Sequence, residues 1–360
     1  MKILLGSTLA LGLSGDMAPP DPDEVMRLPE AVIEQIDEHV YRGSNNPDRR
    51  LELLARLMFS SGGMGFSYIV EPTRDAAGAF DAGEGNCLSF TLLFLAMADH
   101  VGLRATPREV QVPLSWRRDG SSLYETGHVN VLVETGTRRA VVDFEPDPIR
   151  SHRLSTTRRA QRISRERVLA HFYNNRAAEL LAAGHADAAR QWSKIALQLA
   201  PEFSAALNNR GVIESRLGEF ENALGYYQEA LKVDTDNSST LFNLYELYRR
   251  TGEHVEARQV LDRLEGLRSR DPYLHWSLAR RFEDLGELER ADRLYRRAIG
   301  LRDEEPLFHA GLARVAEALG DRERAEQSLA RAMELNRRSP ETGFQWDNTL
   351  LALKAGLTEH

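Results

Sequence analysis

The chain has 360 residues, 42% of them hydrophobic and 28% charged, a balance that supports packed cores and excludes wholesale disorder. The length is enough for two domains, each burying its own core. A formal charge of −8 gives no general attraction for nucleic acid, so none is expected as a partner, and a single cysteine excludes any disulfide within the chain.

Met1-Lys2 leads into an apolar stretch from Ile3 to Leu13, the size of a signal-peptide core and too short to span a bilayer. Residues 1–22 therefore read as a signal or lead-in segment, with cleavage expected near Gly15 to Ala18, and an exported location is favoured over a cytoplasmic one. No later segment is apolar enough to cross a membrane. Val32, Ile33, Ile36 and Val40, then Leu51, Leu54, Leu57 and Met58, recur at helical spacing and predict two helices between Glu24 and Ser60.

The lone cysteine stands in Glu84-Gly85-Asn86-Cys87-Leu88-Ser89-Phe90, where a glycine-bearing loop enters a helical pattern. Leu88, Leu92, Leu95, Ala96 and Val101 carry that pattern to Gly102, which is placed as a C-terminal cap. Cys87 then falls in the first turn, where unpaired amides and the helix dipole favour a thiolate. Arg108 to Trp116 alternates as a strand, and residues 116–120 read as a turn at the rim of a cleft. His128 opens the run His128-Val129-Asn130-Val131-Leu132-Val133, with the valines facing a core and His128 and Asn130 the other way. A turn around Gly136 returns the chain through Arg139-Ala140-Val141-Val142-Asp143, which predicts a hairpin bringing Asp143 across to His128. In that arrangement His128 takes the thiol proton and Asp143 orients the imidazole. The plainer readings are a packed cysteine, a structural histidine and an aspartate that ends a strand, with Asp147 a nearby competitor for the acid.

From Phe66 to Pro146 this stretch resembles the transglutaminase-like branch of the papain-type thiol enzymes. The resemblance rests on a threonine-initiated helix before a Gly-rich turn (Thr73 to Gly85), Gly-x-Cys opening a helix that ends at His100-Val101-Gly102-Leu103-Arg104, a strand led by histidine, and a strand ending Val-Asp. It implies Cys87 as nucleophile, His128 as base and Asp143 as orienting acid. Asn130 departs from the aromatic residue that often stands two positions after the histidine, and Leu88 and Ser89 replace the usual basic and acidic residues.

Arg150, Arg153, Arg158, Arg159, Arg162, Arg165 and Arg167 crowd one segment, read as a solvated linker or first helix, with an anionic docking site as the alternative. Beyond it the sequence repeats. Gly184, Gly218, Gly252, Gly286 and Gly320 recur every 34 residues, with Ala189, Ala223, Ala257, Ala291 and Ala325 five residues after each, and Ala196, Ala230, Leu264, Ala298 and Ala332 seven further on. The glycine ends one helix, and the small residues let the next helix approach its neighbours. Tyr227, Leu261, Tyr295 and Leu329 fill the space between. This pattern, over His171 to Ser339, resembles the tetratricopeptide repeat, with Pro201 where the inter-repeat proline is expected. Phe344, Trp346, Leu350, Leu351 and Leu353 suit a capping helix.

The expected fold is an α+β transglutaminase-like (papain-type) domain at 23–148, an Arg-rich linker at 149–169, an all-α tetratricopeptide solenoid of five repeats at 170–339, and a cap and tail at 340–360. The first helices of the repeats carry Asn174, Asn175, Asn208, Asn209, Phe242, Asn243, Trp276 and Ser277. Of these, Asn175, Asn209, Asn243, Phe242 and Trp276, together with Tyr273, are expected to hold a peptide or protein partner. No phosphate-binding glycine loop, His-Glu-x-x-His or cysteine-based metal site occurs, so no cofactor or metal is expected. The functional expectation is a thiol-dependent acyl-transfer enzyme, hydrolysing, cross-linking or deamidating peptides or proteins. The alternative is a catalytically silent scaffold whose repeats mediate protein–protein interaction.

Overall fold

In the computed structural model the described residues are 17–59, 63–119, 122–136, 138–145, 160–267 and 269–338, with only the backbone described at 111–119 and 122–127. The apolar stretch at 3–13, Asp147, the arginines before Arg162 and the expected cap lie outside them. The chain forms two compact units that part between Asn243 and Leu244.

The first unit begins with α1 (Pro22–Val25), α2 (Glu30–Ile36), which runs into a single π turn at Asp37–Tyr41, and α3 (Pro47–Phe59). Val32, Ile36, Val40, Leu51, Leu54, Leu57 and Met58 are all buried, as their spacing predicted, while Ile33 is half-buried. Two-residue strands β1 (Ser67–Tyr68) and β2 (Glu84–Gly85) pair in parallel around α4 (Ala76–Ala82). α4 is capped by Asp75, whose carboxylate accepts from the Gly78 amide, so Asp75 rather than Thr73 starts this helix.

α5 (Cys87–His100) follows directly, and its residues from Leu88 to Ala98 are all buried, as suits a helix enclosed on every side. Its end has the expected glycine cap: Gly102 adopts a φ of 70°, Leu103 N–H bonds Ala98 O, and Gly102 N–H bonds Asp99 O. The sheet comprises β3 (Arg104–Asp119), β4 (Ser122–Glu134), β5 (Arg139–Val142) and β6 (Ala160–Arg162), antiparallel in the order β5-β4-β3-β6. β3 continues through Trp116 to Asp119, most of the stretch expected as a turn, and β4 starts six residues before His128, so His128 lies inside a strand rather than at its head. The register slips between Val110 and Ser115, a bulge opposite the stretch that follows Thr126. Phe144 packs against Phe59, Phe90 and Phe94, which closes the core between α3, α5 and the sheet. Val129, Val131 and Val133 are buried, but so are His128 and Asn130, which means both faces of this strand are covered.

The last stretch before the repeats forms part of the same unit. Arg162 pairs with Glu134, Arg165 at the start of α6 (Arg165–Ala182) with Asp99, and Arg167 with Glu109. The three described arginines of the Arg-rich segment are thus paired with acids of the sheet and α5, and two of them, Arg165 and Arg167, lie in the first helix that was one reading of this segment. The repeats also receive residues 17–20: Tyr173 on α6 donates to Pro20 O, and Trp192 on α7 (Ala186–Leu199) donates to Met17 O. α8 (Ser204–Arg216), α9 (Phe220–Val233) and the first residues of α10 (Ser238–Thr251) complete the unit.

The second unit holds the rest of α10 with α11 (His254–Gly266), α12 (Pro272–Asp284), α13 (Leu288–Leu301), α14 (Pro306–Ala318) and α15 (Arg322–Arg338). The C-terminal half is an all-helical tetratricopeptide solenoid. Each of the five periodic glycines has φ between 75° and 88°. The residue after each, from His185 to Asp321, donates to a carbonyl five residues back, so every first helix stops with the same closure. The periodic alanines and Leu264 are 0–6% exposed and lie where the helices touch.

Candidate active site

The loop before Cys87 is strapped down on both sides. Ser67 N–H donates to Gly83 O and Ile69 N–H to Gly85 O. A Cβ on Gly85 would come within 2.9 Å of Ser89 Cβ, so only glycine lets the loop lie this close to the helix it feeds. Asn86 is the N-cap of α5: its Oδ1 accepts from Ser89 N–H and Ser89 Oγ, at 3.0 and 3.1 Å. Cys87 is the first residue of the helix and half-buried, with its own amide and that of Leu88 in the turn that precedes the helical ladder.

His128 lies against Asp143, and Cys87 is near enough to act on the same imidazole. Its Nε2 meets Asp143 Oδ1 and Oδ2 at 2.9 and 3.0 Å, with both side chains almost fully buried. Since Nε2 is committed to the carboxylate, Nδ1 is the nitrogen left for the thiol. The three residues singled out from the sequence are therefore brought together. The hairpin register ends at Val131 with Val142, so Asp143 is level with Asn130 and reaches His128 diagonally.

Asn130 explains that geometry. Its amide donates to Asp143 Oδ2 at 2.9 Å, and its own carbonyl accepts from Arg108 Nε at 3.1 Å. Glu145 N–H adds a third donor to the carboxylate. Burial pushes the Asp143 carboxyl up, but the hydrogen bond and charge of His128, with Asn130 and the Glu145 amide, overcome this and hold it below its ordinary value. Burial likewise pulls the His128 imidazolium down, while the hydrogen bonds to Asp143 and Cys87 and the charges of both lift it, to about 9. The geometry suits an imidazole that can exchange a proton with a thiol. Among the described residues no group of three His, Cys, Asp or Glu side chains is placed to hold a metal ion.

The expected partner-binding residues have a different fate. Asn209 donates to Asn174 Oδ1 and Asn243 to Asn208 Oδ1, each at 2.9 Å, and all four are buried. Their amides link neighbouring first helices. Phe242 and Trp276 are also packed inside, at 4% and 6% exposure. Asn175 and Tyr273 are half-buried, and the Tyr273 hydroxyl donates to Glu305 at 2.8 Å. Periodicity located these positions but could not distinguish an outward face from a contact between repeats.

Two matches to the tetratricopeptide repeat family fall on residues 204–237 and 277–340. No curated protein matches the chain. Among solved structures, MamA from Desulfovibrio magneticus RS-1 is similar at 19% identity over 47% of this chain and 96% of its own, with a TM-score of 0.38. YrrB, described as a tetratricopeptide protein with an unusual peptide-binding site, shares 17% identity over 52% of this chain and 92% of its own, at a TM-score of 0.37. A thermophilic tetratricopeptide protein of Thermus thermophilus shares 23% identity over 53% of this chain and 100% of its own, at 0.38. Among the described residues no helix is long and apolar enough to cross a membrane.

Proposed function

We propose that the protein is a transglutaminase-like, thiol-dependent acyl-transfer enzyme whose repeat array engages a peptide or protein partner. The observation that carries this reading is His128, held by Asp143 through Nε2 and within reach of Cys87 at the first turn of α5. In this reading the thiol proton rests on His128 Nδ1 at neutral pH, and the sulfur, as thiolate, adds to an amide carbonyl whose developing oxyanion faces the first-turn amides of α5. The imidazolium returns the proton to the leaving amine as the C–N bond breaks. Water or a second amine then attacks the thioester, with His128 accepting its proton, and frees Cys87.

The test is the rate at which iodoacetamide alkylates Cys87 in the full chain at neutral pH. Cys87 should react faster than free glutathione, and His128→Ala should slow it by about 10²-fold or more, the size of a positioned base's contribution. Labelling no faster than glutathione and indifferent to His128→Ala would overturn the enzyme reading. That outcome would favour the second reading, a silent front domain carrying a protein-binding array, which is supported by the family matches falling on the repeats.

A further inference from the structure

A chain of buried and part-buried hydrogen bonds runs from the first helix of the repeats to the residue beside the nucleophile. It begins at Arg176, whose Nη1 donates to Glu179 Oε2 at 2.6 Å. The other carboxylate oxygen of Glu179 accepts two bonds from Thr73, 2.8 Å from its amide and 2.7 Å from its hydroxyl. The Thr73 hydroxyl, having donated to Glu179, accepts from Asn86 Nδ2 at 2.8 Å. Asn86 also donates to Val70 O at 3.2 Å, which leaves its Oδ1 to cap α5 through Ser89. Ser89 Oγ in turn accepts from Arg74 N–H at 2.8 Å, so every group in the chain has one direction of donation open to it.

That polarity determines how Asn86 is oriented. With Thr73 Oγ committed as donor to a carboxylate, only the NH2 end of Asn86 can face it, and the carbonyl end must then face the first turn of α5. Thr73 and Asn86 are 3% and 6% exposed, so water does not replace a lost member cheaply. Glu179 belongs to α6, a helix of the repeat array, yet its carboxylate is the terminal acceptor for the loop that delivers Cys87.

We infer that Glu179 is a positioning residue for Cys87: through Thr73 and Asn86 it sets the first turn of α5, and so the approach of the sulfur to His128. The inference rests on the proposed thiol chemistry. It also implies that the catalytic unit extends into the first repeat, so that strain placed on α6 reaches the nucleophile without touching the triad.

The experiment compares iodoacetamide alkylation of Cys87 from pH 6 to 10 in the full-length wild type, Glu179→Ala, Thr73→Val and Thr73→Ser, each checked by its melting transition. Glu179→Ala and Thr73→Val should slow labelling by about tenfold at neutral pH, on the scale of one buried hydrogen bond, and move the pH profile towards that of a free thiol. Thr73→Ser keeps the hydroxyl and should restore the wild-type rate and profile. A purely structural role would lower the melting transition and leave the pH profile unchanged. A folded Glu179→Ala with wild-type rate and profile overturns the positioning role alone; if that variant does not fold, the same result in Thr73→Val does so. A wild type whose labelling is independent of His128 overturns the thiol reading, and the inference with it.

Discussion

The region around Cys87 and the repeat array are built by different means. In the array, one rule recurs every 34 residues: a left-handed glycine stops a helix, a buried alanine admits the next, and Tyr227, Leu261, Tyr295 and Leu329 fill the gap. Around Cys87 nothing recurs, and the polar contacts are particular to each residue: Asp143 takes His128, Asn130 and the Glu145 amide, and Thr73 takes Glu179 and Asn86. Apolar contact tolerates imprecision because it is non-directional, whereas a buried hydrogen bond has one donor, one acceptor and a narrow angle. Damage should therefore be graded and local in the array and sharply dependent on charge at the thiol site.

The largest effect expected from this contrast is at Asp143. Asp143→Ala leaves the buried His128, Asn130 and Glu145 amide without their acceptor and should destabilise the first unit by roughly 3 kcal/mol or more near pH 6. The sign of its pH dependence follows from both partners. His128 is raised to about 9, so its contribution is full below the ordinary histidine range and is lost as pH rises through about 9. Asp143 is lowered, so its contribution is full above the ordinary carboxylate range and is lost as pH falls through the depressed value. Denaturant melts of wild type and Asp143→Ala should differ most between those limits and converge towards pH 10. A difference that is flat across that range would mean the ion pair is not what holds the site.

The next effect is steric and changes sign within one helix pair. A Cβ on Gly211 would lie 2.4 Å from Tyr227 Cε1, so Gly211→Ala overfills a closed contact and should destabilise by about 1–3 kcal/mol. Gly225 lies in α9, exposed, with no atom within 4 Å of an added Cβ, so Gly225→Ala should stabilise by roughly 0.5–1 kcal/mol through helix propensity. Thermal melts of the two variants decide it. Two destabilised proteins would mean that Gly225 does not lie on an open face of α9.

The same contrast governs what could be read from the sequence. The array was legible because a repeated rule leaves a period, and even its buried positions follow from that period. Cys87, His128 and Asp143 were legible because a lone thiol at a helix start, an alternating strand and a returning hairpin each carry a local pattern. The residues that hold them were not. Thr73 and Glu179 are 106 positions apart, and no local spacing relates them. Asn130 stood out only as a departure, and its bond to Asp143 becomes visible once the register of β4 and β5 is known. Threonine and aspartate both cap helices, and it is Asp75, two residues after Thr73, that starts α4, which leaves the Thr73 hydroxyl for Asn86.

The smallest effect concerns the asparagines that bridge the first helices. If the Asn209 amide serves the array by donating to Asn174 Oδ1, the two residues should be energetically coupled. Asn174→Ala, Asn209→Ala and the double variant, compared by denaturant unfolding, should then give an interaction of about 0.5–1.5 kcal/mol, the net worth of one buried hydrogen bond. Each single variant should lose more than this, because it also strands the remaining amide away from water. Independent losses that simply add would show that the 2.9 Å contact contributes nothing to folding. Asn209 would then return to the role its position in the repeat first suggested, an amide held in reserve for the backbone of a bound peptide.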